Sequence, residues 1–226
     1  GLIAKNNTMD RVAANISDDD LPLRPPLCGR PVLDEFHDDK IRPFVSALLI
    51  GAQVLQLSLE ARVSASVLLH RYYAAAGFSD KDDLLSVERQ QTVGASDFVE
   101  DWKLNVACCI FLACKREEDP RRLRDVINFA LMIDHRRKQP DGQIVFVYKT
   151  TTPPPIDSVY WNVKERMIQN ELRVLRWLVF DVAVSYPHRA IVLMTEGSDD
   201  GRQRLLEAAF RCLNDTVFSS ECLQQP

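Results

Sequence analysis

The chain has 226 residues, 46% of them apolar and 27% charged, the balance of an ordinary globular protein and not of a disordered one. Its length lies between one and two typical domains, enough for a core without disulfide staples. The net charge of −4, from 28 basic and 32 acidic residues, disfavours duplex nucleic acid as the main partner, and no apolar run approaches the ~18 residues of a membrane span.

Residues 1–38 read as a largely irregular arm. They hold Asp18, Asp19 and Asp20, then Pro22, Pro25, Pro26 and Pro31, and proline at that density blocks a helix and removes sheet donors. From residue 39 the period becomes helical: Ile41, Phe44, Val45, Leu48, Ala52 and Leu55 share one face. Ser58 is the expected N-cap of a second helix carrying Val63, Val67, Leu68 and Tyr72, with Gly77 at its end. Residues 79–96 are polar and aperiodic, a surface loop. Asp97 and Glu100 then have the spacing of a capping box. Trp102, Val106, Cys109, Ile110 and Ala113 share a face of the next helix, whose second half is apolar all round. Such a helix is enclosed on every side, so it is expected at the centre of a bundle. Its thiols, Cys108, Cys109 and Cys114, serve there as small hydrophobes and fit a reduced intracellular compartment.

Asp119-Pro120 reads as the start of a fourth helix, Asp as N-cap and Pro in the first turn. Its stripe is Leu123, Val126, Ile127, Ala130 and Leu131. Residues 134–156 read as a long connection, with the basic run His135-Arg136-Arg137-Lys138 and the triple Pro153-Pro154-Pro155. Its middle, IVFVY (144–148), is apolar and β-prone, so it is expected to dock on the fold or on a partner. A fifth helix is predicted from Asp157 to Val179, with Tyr160, Val163, Met167, Glu171, Val174 and Leu178 on one face. Two more follow, one opening at Ser185-Tyr186-Pro187, the other carrying Leu206, Phe210, Leu213 and Val217 after the loop GSDDG (197–201). The fold class expected is all-α, five helices and then two.

No phosphate-cradling loop, nucleophile elbow or zinc-protease motif is present, and no Cys/His spacing suits zinc. The expectation is a non-enzyme without cofactor or metal. Two features stand out. Glu171 interrupts an apolar helix face, and Lys115 directly follows the apolar run that ends at Cys114. A lone buried carboxylate costs several kcal/mol unless it is paired, so the two residues are expected to meet. The competing reading is a partly exposed surface pair, or two unrelated side chains reaching water separately. Arg121, Arg122 and Arg124 fall in the first turns of the fourth helix, where cations oppose the helix dipole. Upstream Glu117, Glu118 and Asp119 can compensate; the sharper reading is a contact surface for an acidic or phosphorylated partner.

The run Leu112 to Asn128, LACKREEDPRRLRDVIN, resembles the heart of a cyclin box. Tyr160-Trp161-Asn162-Val163-Lys164, Glu171-Leu172-Arg173-Val174-Leu175-Arg176, Phe180 and Pro187-His188-Arg189 continue the likeness, and Val67 to Tyr73 supplies the second-helix motif. The likeness runs from about residue 39 to 226. It is greatest to the transcription-type cyclins, the cyclin L group first, with cyclin Q and cyclin K as near neighbours. The resemblance implies a first cyclin box over 39–182, with loop insertions 79–96 and 134–156, and an incomplete second box over 183–226. It implies a regulatory subunit that binds and activates a cyclin-dependent kinase in a heterodimer, in transcription or RNA processing, in the nucleus. Lys115, Glu171, Leu175, Phe180 and Val182 would be the kinase-binding residues. Two positions depart from cell-cycle cyclins: the first-helix stretch where their substrates dock reads Lys40-Ile41-Arg42-Pro43-Phe44, and His70 stands where they carry Asp. The rival reading is a cyclin-fold adaptor or scaffold of a transcription complex that activates no kinase.

Overall fold

The computed structural model describes residues 35–77, 101–137, 144–149, 152–184, 187–194 and 202–219. The loop 79–96, the Asp97/Glu100 spacing, the GSDDG loop and the arm before residue 35 lie outside the described residues.

Helix α1 (Glu35–Val54) starts inside the stretch read as an arm and runs through Pro43. Among its first six residues, EFHDDK, only Phe36 is apolar, so they carry no apolar period. Helix α2 (Leu59–Ala76) is capped as expected. Ser58 Oγ accepts the Ala61 N–H at 3.2 Å, and Gly77, at φ +74°, closes the last turn through its N–H to the Tyr73 carbonyl, 3.0 Å. Glycine takes that φ without a Cβ clash.

Helix α3 (Asp101–Arg116) is the centre of the molecule, in contact with α1, α2, α4 (Leu123–Met132) and α5 (Ser158–Trp177). Val106, Cys109, Ile110 and Ala113 have no accessible surface, and Trp102 is buried beside them. Each large side chain so placed contributes about 1.5–3 kcal/mol by leaving water. Core side chains also press on the α1 backbone here. A Cβ added at Gly51 of α1 would lie 2.7 Å from the Phe129 ring and 2.8 Å from Ile110, so any larger residue would force those side chains to shift.

The start of α4 corrects the sequence reading. The helix begins at Leu123, with Arg122 extended at the N-cap and no side-chain cap. Asp119 faces elsewhere: its carboxylate accepts the Ser58 N–H at 2.9 Å, ahead of α2, and pairs with Arg121. Arg121 donates in turn to the Leu55 and Gln56 carbonyls at 2.8 and 2.6 Å. A tertiary demand for a carboxylate at the α1–α2 corner has won over the local capping preference.

The long connection is also not all loop. Strands β1 (Ile133–Arg137) and β2 (Ile144–Tyr148) pair antiparallel, His135 opposite Phe146. Phe146 packs edge-on against Trp102, centroids 5.5 Å apart, and Tyr148 stacks on Phe129 at 6.3 Å. Through Phe146 and Tyr148, β2 therefore docks on the helices of the same chain.

Helix α5 has Asp157 as N-cap, accepting the Tyr160 N–H at 3.1 Å. It buries Tyr160, Val163, Met167, Asn170 and Val174. Helices α6 (Pro187–Met194) and α7 (Arg202–Thr216) pack on each other. The segment between α5 and α6 is held by two arginines, Arg71 to the Ala183 carbonyl at 2.7 Å and Arg116 to the Val184 carbonyl at 3.0 Å. Beyond α7, Val217 is buried and its carbonyl meets His70 Nε2 at 2.8 Å. Among the described residues the fold is all-α apart from this hairpin.

Candidate partner-binding site at the end of the central helix

The apolar run of α3 ends at Cys114, and the next two residues, both cations, part company. Arg116 turns inward to Glu117, Ser64 Oγ and the Val184 carbonyl. Lys115 turns outward: its Nζ lies 2.5 Å from Glu171 Oε1 of α5 and 4.2 Å from the centroid of the Phe111 ring. The Lys115 side chain is 51% exposed and that of Glu171 19%. The pair thus sits at the rim of the core, where an ion pair contributes only about 0–1 kcal/mol to folding.

One turn beyond Glu171, Leu175 is half-buried. The chain then leaves α5 through a sharp cap. The Phe180 N–H reaches back to the Leu175 carbonyl at 2.8 Å and the Val179 N–H to the Arg176 carbonyl at 3.0 Å. Val179 and Phe180 both take the left-handed region, φ +54° and +59°. For a β-branched residue this is an outlier that costs about 1–2 kcal/mol. The cap leaves Phe180 62% and Val179 51% exposed, while Val182 packs half-buried against the core. The result is an acid–base pair beside an apolar ledge. Val179 and Phe111 belong to this neighbourhood but were not singled out from the sequence, since neither breaks a periodic pattern.

Behind the site, α3 and α5 are pinned by buried amides. Asn105 Nδ2 donates to the Tyr73 hydroxyl at 3.2 Å, and Asn105 Oδ1 accepts from Asn170 Nδ2 and Arg173, each at 3.1 Å. Burial pushes the Cys108 thiol up to about 12 and Cys114 to about 11, and raises Cys109 as well. Thiols held protonated in this way are packing groups, not nucleophiles. Of the arginine trio, Arg121 and Arg122 precede α4 and Arg124 lies in its first turn. Arg121 is occupied with Asp119 and two carbonyls, and Arg122 and Arg124 are exposed. Among the described residues no group of His, Cys, Asp and Glu could hold a metal ion, and no helix is long and apolar enough to cross a membrane.

No protein-family model matches the chain. Individual relatives do. It is 33% identical over 173 residues to the cyclin L homolog cyl-1 of Caenorhabditis elegans, covering 73% of this chain and 32% of that protein. It is 31% identical over 165 residues to Cyclin-L1 of Homo sapiens, covering 73% and 26%. With Cyclin-L1 of Rattus norvegicus the identity is 28% over 222 residues, covering 96% and 37%. The chain therefore spans little more than a third of the length of these relatives at most. A central helix enclosed by four others, with relatives of one kind aligned along up to 96% of the chain, identifies it as a cyclin L-like member of the cyclin family.

Proposed function

We propose that this chain acts as the non-catalytic regulatory subunit of a cyclin-dependent kinase, in transcription or RNA processing in the nucleus. The kinase would pack its glutamate-bearing helix against Lys115, Glu171, Leu175, Phe180 and Val182. In the active kinase that glutamate must meet the lysine that holds the ATP phosphates. A cyclin that binds only the helix-in state shifts the kinase population towards it. The observation that supports this best is the Lys115–Glu171 pair at 2.5 Å beside a Phe180 that is 62% exposed. The pair offers a cation and a carboxylate to polar groups at a helix end, and the ledge offers apolar contact. In the same reading residues 39–182 form the first box, extended back to Glu35 by α1, and 183–226 belong to a second. Arg122 and Arg124, being exposed, are the members of the arginine trio that an acidic or phosphorylated partner segment would meet.

The test is capture of cyclin-dependent kinases by the immobilised chain, followed by titration of kinase activity against its concentration. Activity that rises and saturates supports the reading. Kinase capture without any gain in activity would instead indicate a scaffold.

A further inference from the structure

The triple proline ahead of α5 serves neither the core nor the site at Lys115. Thr152, Pro153, Pro155 and Ile156 are exposed, and Pro154 is partly covered. The stretch belongs to no helix or strand. None of its backbone carbonyls accepts a hydrogen bond among the described residues. It lies at the opposite end of α5 from Phe180, and the 20 residues of that helix at 1.5 Å each separate the two by ~30 Å.

Its backbone is set by covalent sterics. Each proline ring fixes φ near −65°. Thr152, Pro153 and Pro154 each precede a proline, which drives them into the extended, polyproline II region. That helix has three residues per turn, so Pro153 and Ile156 fall on one edge, and both are exposed. The apolar surface continues beyond them. Ile156 and Trp161 hold the two positions that a hydrophobic staple would occupy about the Asp157 cap, yet they are 50% and 55% exposed. The flanking charges are engaged, Asp157 with the Tyr160 N–H and Lys149 with Asp134 at 3.5 Å. What the stretch presents is therefore shape, apolar edge and free carbonyls.

We propose that residues 152–156 are a docking strand for a partner domain of the WW kind, Pro153 entering the groove between its aromatic rings and Ile156 the next apolar pocket. Such grooves take a ligand already in the polyproline II form, which loses little entropy on binding. Two features select this kind of reader. Grooves of the SH3 kind take prolines three apart, whereas here Ile156, Asp157 and Ser158 stand three residues after Pro153, Pro154 and Pro155. They also draw on a flanking cation, and Lys149 is held by Asp134.

The experiment passes the full 226-residue chain over an array of purified WW, SH3 and EVH1 domains, each first shown to bind a proline-rich peptide of its own class. WW domains are expected to bind and the other two classes not. Changing Pro153→Ala and Pro154→Ala together should weaken that binding about tenfold, and Ile156→Ala roughly fivefold, with the helical circular dichroism of each variant unchanged. Lys115→Ala, at the far end of α5, should bind the array as wild type does. Absence of binding to any WW domain, binding undiminished in the double variant, or SH3 domains binding as tightly as WW domains would each overturn the proposal and leave the prolines a rigid spacer between β2 and α5.

Discussion

The two ends of α3 are built from the same kind of helix and finished in opposite ways. At the first end Trp102 is 1% exposed, because Phe146 of the hairpin lies edge-on against it and Phe44 tilts over it at 6.0 Å. At the last end Lys115 is half in water, and Phe180, a residue of comparable apolar area, is 62% exposed. The hairpin of the same chain covers the first end. Nothing among the described residues covers the second, and the left-handed cap at Val179 and Phe180 holds the aromatic ring outward at a cost in strain. An uncovered apolar ledge beside a paired charge is what an interface for a partner needs.

The largest expected effect concerns the covered end. Trp102→Ala should lower stability by about 3–5 kcal/mol, the usual cost of deleting a large buried aromatic. Phe146→Ala should cost roughly half of that, because its ring is half-buried and its edge-to-face contact adds only about 0.5–1.5 kcal/mol. Denaturant titration of each variant measures both. A Phe146→Ala chain as stable as wild type would mean that the hairpin only rests on the box, and the comparison of the two ends would lose its basis.

At the open end the balance should reverse. Lys115→Ala and Glu171→Ala should leave the melting temperature nearly unchanged. Truncation at the centre of a desolvated interface costs ~2 kcal/mol or more, close to thirtyfold in affinity. Kinase activity titrated against each variant reads this directly, with Arg137→Ala of the hairpin as a control that should do much less. Equal activation by wild type and both variants would leave the pair with no part in binding.

How far these ends were legible in the sequence differs in an instructive way. The enclosure of α3 was written in its all-round apolar half, because a surface helix cannot afford such a run. Glu171 was legible as a polar interruption of an apolar face and Lys115 as the first charge after an apolar run, and their meeting comes with the packing of α3 on α5. Of the hairpin, only the β-prone, docking second strand IVFVY was legible; the pairing was not. Its first strand, IDHRR, is mostly polar and gains its partner only through the return of IVFVY, and α4 runs into it without a break. Nor was the role of Asp119, where local spacing pointed to a cap on α4 and a contact distant in sequence, with Ser58, prevailed. The left-handed pair at Val179-Phe180 gave no signal, since glycine or asparagine is what normally marks that backbone.

That pair allows a smaller test. Val179→Gly should raise stability by about 0.5–1 kcal/mol. The left-handed region costs a β-branched residue about 1–2 kcal/mol, and glycine's greater freedom in the unfolded chain returns about 0.5–1 kcal/mol of that. A lower melting temperature in this variant would show that the cap at the open end is not strained.

The smallest effect separates a charge that serves the fold from one that serves binding, within a few residues of the same helix end. The Ser58 N–H, together with the neighbouring Arg121 guanidinium, holds the Asp119 carboxyl below its ordinary value of 3.8. A carboxyl whose folded pKa is depressed stabilises the protein fully above its unfolded value. That contribution fades as pH falls from about 4 through the lower folded pKa. Asp119 is near the surface, so solvent screening keeps its share to about 1 kcal/mol or less. Asp119→Asn should therefore lower the melting temperature slightly at pH 7 and flatten the loss of stability below pH 4, with kinase activation unchanged. A variant whose acid unfolding matched that of wild type would show that the Asp119–Ser58 contact carries no stability, and that α1 and α2 meet without it.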